Sequence, residues 1–113
     1  MASGEQAERL AAAYLQRQGL SLVQRNYRCR HGEIDLIMRD GASLVFVEVR
    51  LRSRGDYGGA AASIGAAKQG KLLRTAQHYL STLGKTPPCR FDALLLQSAD
   101  GAGLEWVKNA FEA

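Results

Sequence analysis

The segment 33–52 constrains the fold of this chain more than any other, because it predicts a β-hairpin whose second strand is buried on both faces. Asp40-Gly41 is a strong turn signal between a first arm, 33–39, and a second arm, 43–52. The second arm alternates valine on one face with leucine and phenylalanine on the other, so its first half is apolar on both faces. A strand of this kind lies inside a sheet that is covered on both sides.

Two amphipathic segments flank the hairpin and can supply this cover. Ser3 is placed to cap an opening helix that ends at Gly19, and a second helix begins near 63–66 and ends before Gly84. Strands are predicted at 20–27, 33–39, 43–52, 90–97 and 103–107. The resulting order, α-β-β-β-α-β-β, predicts an α/β protein with a mixed β-sheet flanked by helices.

Length and composition indicate a globular protein of one domain. The 113 residues suffice for a single domain, which we predict to span 1–113, and 46% hydrophobic residues exclude a disordered chain. The longest apolar run, 44–47, is too short to cross a membrane, and the first residues lack the regions of a signal peptide. Cys29 and Cys89 lie far apart without a metal-binding motif, which favours a reducing, cytoplasmic location.

Two carboxylates interrupt the predicted hairpin strands. Asp35 and Glu48 lie within apolar segments, where acidic side chains are seldom found without a partner. The register of the hairpin decides whether they meet. If Asp35 pairs directly with Glu48, or is offset from it by two residues, the side chains share a face; an offset of one residue separates them.

Two carboxylates held side by side repel each other, so they require a compensating positive charge. Oxygen ligands select hard divalent cations, and Mg²⁺ or Mn²⁺ bound there could polarise a phosphodiester and activate water. The alternative is a structural ion-pair network with Arg28, Arg50 or Arg52. The strand pattern leaves both interpretations open.

The hairpin resembles part of a known family. Residues 32–37 (GEIDLI) and 46–50 (FVEVR) resemble the core of the PD-(D/E)xK nuclease superfamily. More narrowly, the chain is similar to the YraN-like bacterial family, which is related to archaeal Holliday-junction resolvases. The similarity runs from Glu5 to Phe111, and its supporting segments are Gly4-Glu5 with Ala7, 58–63 (GGAAAS), Lys68-Gln69 and 89–92 (CRFD).

The resemblance implies a restriction-endonuclease-like fold with Asp35 and Glu48 as metal ligands and Glu5 as a further acidic member of the site. Glu5 in the first turn of a helix also stabilises the helix dipole, which would explain it without catalysis. The third motif residue is usually Lys and is Arg50 here; arginine stays protonated, so it cannot accept a proton from the attacking water. We predict that Lys68, on the core-facing stripe of the second helix, reaches the site and partly fills this role; the alternative is a solvated lysine that extends past the core.

Basic residues around these segments predict a surface for nucleic acid. The net charge of +4 is a weak signal by itself. The cations flank the site strands and continue on the second helix, and the candidate nucleic-acid-binding residues are Arg28, Arg30, Arg52, Arg54, Lys71 and Arg74. If these groups converge, the acidic pair lies within a positive rim, as a phosphodiesterase needs.

The sequence therefore favours a metal-dependent endonuclease that hydrolyses DNA phosphodiester bonds. Mg²⁺ or Mn²⁺ is the predicted cofactor, and the catalytic candidates are Asp35, Glu48, Arg50, Lys68 and Glu5. The resolvase relation implies branched DNA as the substrate and admits a homodimer. One alternative is a nucleic-acid-binding module of the same fold without efficient turnover. The other is a structural or interaction domain whose acidic pair belongs to an internal ion-pair network.

Overall fold

A computed structural model of the chain describes residues 3–51, 64–98 and 100–111. These residues form α1 (Ser3–Arg17), β1 (Ser21–Cys29), β2 (Gly32–Asp40), β3 (Ser43–Leu51), α2 (Ala66–Ser81), β4 (Cys89–Leu96) and β5 (Glu105–Phe111). The order α-β-β-β-α-β-β and the mixed α/β class are both confirmed. Arg52 and Arg54, predicted to bind nucleic acid, lie outside the described residues.

The five strands form one sheet in the order β1-β2-β3-β4-β5. Short turns join β1, β2 and β3, so neighbouring strands in this part of the sheet are antiparallel. The segment that contains α2 carries the chain back across the sheet, so β4 runs parallel to β3, and β5 returns antiparallel to β4. β3 therefore lies at the centre of the sheet, as its two apolar faces predict.

Each face of the sheet packs against one helix. Val45 and Val47 belong to the core that α1 covers, whereas Leu44 and Phe46 belong to the core that α2 covers. The helices contribute Ala7, Ala11, Ala12 and Leu15 from α1 and Leu72, Ala76 and Tyr79 from α2. The alternation predicted for β3 is confirmed, and it leaves Glu48 on the α2 side.

The last strand differs from its prediction at 103–107. It begins at Glu105 and continues to Phe111. Gly101 and Gly103 have φ values of 98° and 68°, so the chain is still turning where the strand was expected to begin. Ala110 and Phe111 are buried in the α2-side core, and this burial explains why the strand continues past the predicted end.

Across the described ranges, no helix is both long and apolar enough to span a membrane. The two cysteines, Cys29 and Cys89, are free thiols.

Candidate active site

The register of the β2–β3 hairpin brings the two predicted carboxylates together. Leu36 pairs with Val47, and extending this register by one residue places Asp35 opposite Glu48. Their side chains lie within hydrogen-bonding distance of each other. Of the registers that the sequence left open, the structure has the one in which the two carboxylates are direct cross-strand neighbours.

Asp35 lies where β2 exchanges its two faces. Ile34 packs in the core under α2 and Leu36 in the core under α1, although residues two apart in a regular strand share a face. At this exchange the Asp35 side chain reaches across to β3, where its Oδ2 accepts a hydrogen bond of 2.9 Å from the Val49 N–H. The Asp35 carboxylate thus replaces a backbone acceptor just beyond the last paired residues of the two strands.

A third carboxylate reaches the site from α1. Glu8 is half-buried, and its carboxyl group lies within hydrogen-bonding distance of Asp35. Asp35 therefore stands between two acids: Glu8, from the helix on one face of the sheet, and Glu48, which points toward the helix on the other face. The three carboxyl groups form a row through the end of the sheet.

Glu5, the α1 acid predicted for the site, lies about one turn earlier on the exposed helix surface. Its Oε2 is 3.7 Å from Arg9 Nη2. The α1 carboxylate that contacts Asp35 is Glu8, and Glu5 lines the same cleft without an interaction with Asp35 among those of the described residues. A role for Glu5 in the site stays a prediction. The helical period contained the signal for Glu8, because the buried residues Ala11 and Leu15 follow Glu8 at i+3 and i+7 on the same face.

Two cations meet the acidic row at Glu48. Lys68 Nζ lies 3.3 Å from Glu48 Oε2, and Arg50 Nη1 lies 3.8 Å from the same oxygen. The Glu48 side chain is 7% exposed, whereas those of Lys68 and Arg50 are 44% and 37% exposed. The cations therefore line the solvent side of a buried acid. Lys68 points to the site, as predicted from its place on the helix.

Burial and crowding raise the pKa values of all three carboxyl groups. Burial is the larger cause at Glu48, and with repulsion from Asp35 it raises the pKa of Glu48 to about 7 despite the nearby charge of Lys68. The same two causes raise the pKa of Glu8 to about 7. Burial also raises the pKa of Asp35. Near neutral pH the row therefore retains protons that isolated carboxyl groups would have released.

The donor set fits a hard divalent cation. Asp35 and Glu48 offer adjacent carboxylate oxygens, and a cation between them would offset the repulsion from Asp35 that helps to raise the pKa of Glu48. Within the described part of the chain, no three His, Cys, Asp or Glu side chains are grouped so that they could hold a metal ion. The protein would therefore supply two ligands, with water and substrate oxygens completing the shell, as is usual for Mg²⁺.

The family of the chain follows from comparison with other sequences. The sequence model of the uncharacterised protein family UPF0102 matches residues 7–96, a region that contains Glu8, Asp35, Glu48 and Lys68. The chain belongs to this family. The match confirms, at the level of the family, the YraN-like resemblance of the sequence.

Relatives within UPF0102 match almost the full chain. A UPF0102 protein of Methylobacillus flagellatus is 58% identical over 97% of this chain and 96% of its own length. One from Nitrosospira multiformis is 58% identical, with 96% of this chain and 92% of the relative covered. One from Dechloromonas aromatica is also 58% identical, with 99% and 90% covered.

The described basic residues predicted to bind nucleic acid in this UPF0102 member lie on α2 and on the β1–β2 hairpin that packs against it. Lys71 and Arg74 are exposed on α2, about one and two turns beyond Lys68. The β1–β2 turn packs directly on this helix, because a Cβ at Gly32 would lie 3.2 Å from Thr75 Oγ1 and 3.7 Å from Lys71 Cβ. The arginines of that hairpin, Arg28 and Arg30, are also exposed. Arg30 in this turn therefore lies near the cations of α2, whereas Arg28 lines the cleft between the hairpin and the start of α1.

Arg28 also differs from these other cations in its pairing. Its Nε donates a hydrogen bond of 3.0 Å to Glu33 Oε2 across the β1–β2 pair. Glu33 is therefore paired with Arg28. Part of the charge of Arg28 is already compensated, so Arg30, Lys71 and Arg74 are the stronger candidates for phosphate contacts.

Another buried carboxylate illustrates an ion-pair network that serves the fold. Asp92 is 1% exposed. Its oxygens accept hydrogen bonds from Arg90 Nε at 3.1 and 3.2 Å, and from Trp106 Nε1 and the Asn109 N–H at 3.0 Å each. Arg90 Nη2 also lies 3.0 Å from Asp40 Oδ2 at the β2–β3 turn. Asp92 thus joins β4 to β5 and, through Arg90, to the hairpin turn.

The surroundings of Asp92 and Glu48 are opposite in kind. Donors on β4 and β5 surround the Asp92 carboxylate, whereas burial and Asp35 raise the pKa of Glu48. Sequence reasoning missed the role of Asp92, although this residue carries the same signal as Asp35, an acid inside an apolar strand. Only the identity of the neighbouring side chains distinguishes a structural acid from a candidate catalytic one.

Proposed function

We propose that this protein is a metal-dependent endonuclease that hydrolyses phosphodiester bonds in DNA. The observation that carries the proposal is the side-by-side placement of Asp35 and Glu48 with Lys68 Nζ at 3.3 Å from Glu48. Two crowded acids and one lysine are the side chains that the PD-(D/E)xK resemblance requires, with the lysine supplied by α2. The resolvase relation adds branched DNA as the favoured substrate.

Each residue of the site has a distinct task in this proposal. Asp35 and Glu48 hold Mg²⁺ or Mn²⁺, which when bound polarises the phosphodiester and lowers the pKa of a coordinated water. Lys68 and Arg50 place positive charge where the transition state gains negative charge. Glu8 keeps Asp35 oriented from the opposite face of the sheet. The surface of Arg30, Lys71 and Arg74 binds the phosphate backbone.

A nucleic-acid-binding module without turnover is the second candidate, and Arg50 is the observation that favours it. An arginine at the third motif position cannot accept a proton from water. The position of Lys68 favours the enzyme, because a lysine already lies beside Glu48. The homodimer and the cytoplasmic location stay predictions.

The proposal is tested by cleavage of a labelled four-way junction and a linear duplex in Mg²⁺, in Mn²⁺ and in EDTA, with DNA binding recorded in the same samples. We expect product only with a metal ion. Binding without product on either DNA would favour the non-catalytic module. Failure to bind either DNA would favour a structural or interaction domain with an acidic cluster that has no role in catalysis.

The matched variants Glu8→Gln and Glu5→Gln identify which α1 acid serves the site. We expect Glu8→Gln to slow cleavage by about 10- to 100-fold, the usual effect of removing a side chain that orients a metal ligand. Glu5→Gln should leave the rate unchanged, because its carboxylate faces Arg9 at the helix surface. Single-turnover rates at saturating DNA measure both effects, and equal rates for the two variants would remove Glu8 from the site.

The double variant Lys71→Ala/Arg74→Ala tests the basic surface. Each phosphate contact contributes about −0.9 to the slope of log K against log salt concentration, so the variant should reduce that slope by about 2. The loss should be similar for different DNA sequences, since these contacts are to the backbone. Fluorescence anisotropy over a salt series measures the slope.

The charge-matched control for this surface is Arg17→Ala/Lys85→Ala. Arg17 ends α1 on the opposite side of the sheet, and Lys85 follows the end of α2. The control should keep the wild-type slope. If both double variants lose the same amount, net charge and not the proposed surface determines binding.

A further inference from the structure

Asn26 has an unusual backbone in the middle of an edge strand. Its φ is 54°, in the left-handed region, although residues on either side of it pair with β2. The β1–β2 register is the same before and after this point, but the pairing passes over Asn26 and Asp35, which the register would place opposite each other. The left-handed residue of β1 therefore lies opposite the candidate metal ligand on β2.

Both strands exchange faces at this position. Tyr27 packs with Ile34 against the core under α2, whereas Leu36 lies in the core under α1. A local kink in β1 allows β1 to follow β2 through the exchange. The left-handed conformation provides such a kink, and asparagine adopts it more readily than other residues except glycine.

The Asn26 side chain extends the same arrangement to α1. It lies beside the carboxyl group of Glu8, the acid that contacts Asp35, and lowers the pKa of that group. Both residues line an open cleft of about 390 Å³ between the start of α1 and the β1–β2 hairpin. Asn26 therefore contacts one neighbour of Asp35 through its side chain and adjoins Asp35 itself through its backbone.

We propose that Asn26 is a positioning residue for the acidic site. Its left-handed backbone turns β1 at the point where Asp35 is left out of the β1–β2 pairing. Its side-chain amide orients Glu8 toward Asp35. The backbone part of this proposal concerns geometry alone. The part that involves cation binding rests on the proposed function.

Two variants separate the backbone from the side chain. Asn26→Gly keeps the left-handed conformation at no steric cost and removes the amide, whereas Asn26→Ala removes the amide and strains the backbone. Asn109→Ala is the matched control, because Asn109 is the other left-handed asparagine of a strand, with a φ of 52°, and lies on β5 at the far edge of the sheet.

Hydrogen exchange of the Val49 amide reports the position of Asp35 without any assay of activity, because this N–H donates to the Asp35 carboxylate. We expect exchange in Asn26→Ala to be about tenfold faster than in wild type, the equivalent of the left-handed backbone penalty. Asn26→Gly and Asn109→Ala should retain wild-type exchange. Wild-type exchange in Asn26→Ala, or equal acceleration in Asn109→Ala, would contradict the backbone role.

Mn²⁺ binding, followed by the EPR signal of the free ion, tests the side chain. Both Asn26 variants should bind Mn²⁺ about 10-fold more weakly, and Asn109→Ala should bind as wild type. If Asn26→Ala does not fold, Asn26→Gly still decides this point. Unchanged Mn²⁺ binding in Asn26→Gly would contradict the role of the amide. Wild-type protein that neither binds Mn²⁺ nor cleaves DNA would instead contradict the proposed function. Hydrogen exchange of the Val49 amide would still test the backbone role in that case.

Discussion

Glu48→Gln is expected to stabilise the protein at pH 8 in metal-free buffer and to reduce metal-dependent cleavage by about 100-fold or more. Stability rises while activity falls because the two crowded carboxylates would bind a cation together, but without the cation their repulsion lowers the stability of the folded protein. Glutamine keeps the size of the side chain and removes the charge that repels Asp35.

The pH dependence follows from the raised pKa of Glu48. The folded protein holds this proton up to about pH 7, whereas the unfolded chain releases it near 4.5. As the pH rises through this range the folded state binds more protons than the unfolded state, so the free energy of unfolding of wild type falls. Glu48→Gln lacks this loss, and the variant should be more stable by about 2 kcal/mol at pH 8 and equal to wild type below about pH 4.5.

Chemical unfolding from pH 4 to 8 in EDTA, repeated with Mg²⁺, measures the stability effect, and junction cleavage measures activity. Mg²⁺ should raise the stability of wild type at pH 8 more than that of Glu48→Gln, because binding to the folded state favours it. Glu5→Gln, on the helix surface, is the control and should match wild type in each assay. A loss of stability in Glu48→Gln at pH 8 would show that Glu48 belongs to a structural ion-pair network.

Asp92→Ala is expected to have the largest effect on stability, a loss of about 3–5 kcal/mol. The substitution removes the acceptor of Trp106 Nε1 and of the Asn109 N–H, and it leaves Arg90, whose side chain is 20% exposed, with Asp40 as its remaining carboxylate. Breaking a buried pair is costly because the remaining charge and donors lose their partners without regaining water.

Urea unfolding at pH 7 measures this loss. If Asp92→Ala does not fold at all, Asp92→Asn keeps one acceptor oxygen and should lose about 2 kcal/mol. Asp100→Ala is the control, because Asp100 is exposed and accepts its hydrogen bonds within its own turn, so its stability should stay close to that of wild type. An equal effect at both aspartates would mean that burial of Asp92 contributes nothing beyond local hydrogen bonds.

The two aspartates of the sheet show where sequence reasoning stops. Asp35 and Asp92 both interrupt apolar strands, and the nearest local difference is the charge two residues earlier, Glu33 before Asp35 and Arg90 before Asp92. Their roles differ because Asp92 meets donors on β4 and β5, whereas Asp35 meets carboxyl groups on α1 and β3. Apart from Arg90, these partners lie on other helices and strands, so the periodicity of a single strand carries no information about them.

The acid that α1 brings to Asp35 is Glu8, whereas the sequence predicted Glu5 as the acidic site member from α1. Glu5 matched the position that the resemblance suggested, and Glu8 matched the helical period of the buried stripe. The helical period gave the better indication, because a side chain reaches the sheet only from the buried face of the helix. Which end of the sheet that face covers is a property of the packed fold.

By itself the sequence determined the order of elements, the hairpin turn at Asp40-Gly41 and the doubly buried β3, since each depends on local periodicity and turn chemistry. It also identified Asp35 and Glu48 as candidate site residues and predicted that Lys68 points toward them. The tertiary structure decided the register, the face exchange at Asp35 and the approach of Glu8, because these depend on how strands pair and where helices cross them. Strand pairing and helix packing join residues far apart in the chain, and their energies are set by neighbours that no local pattern specifies.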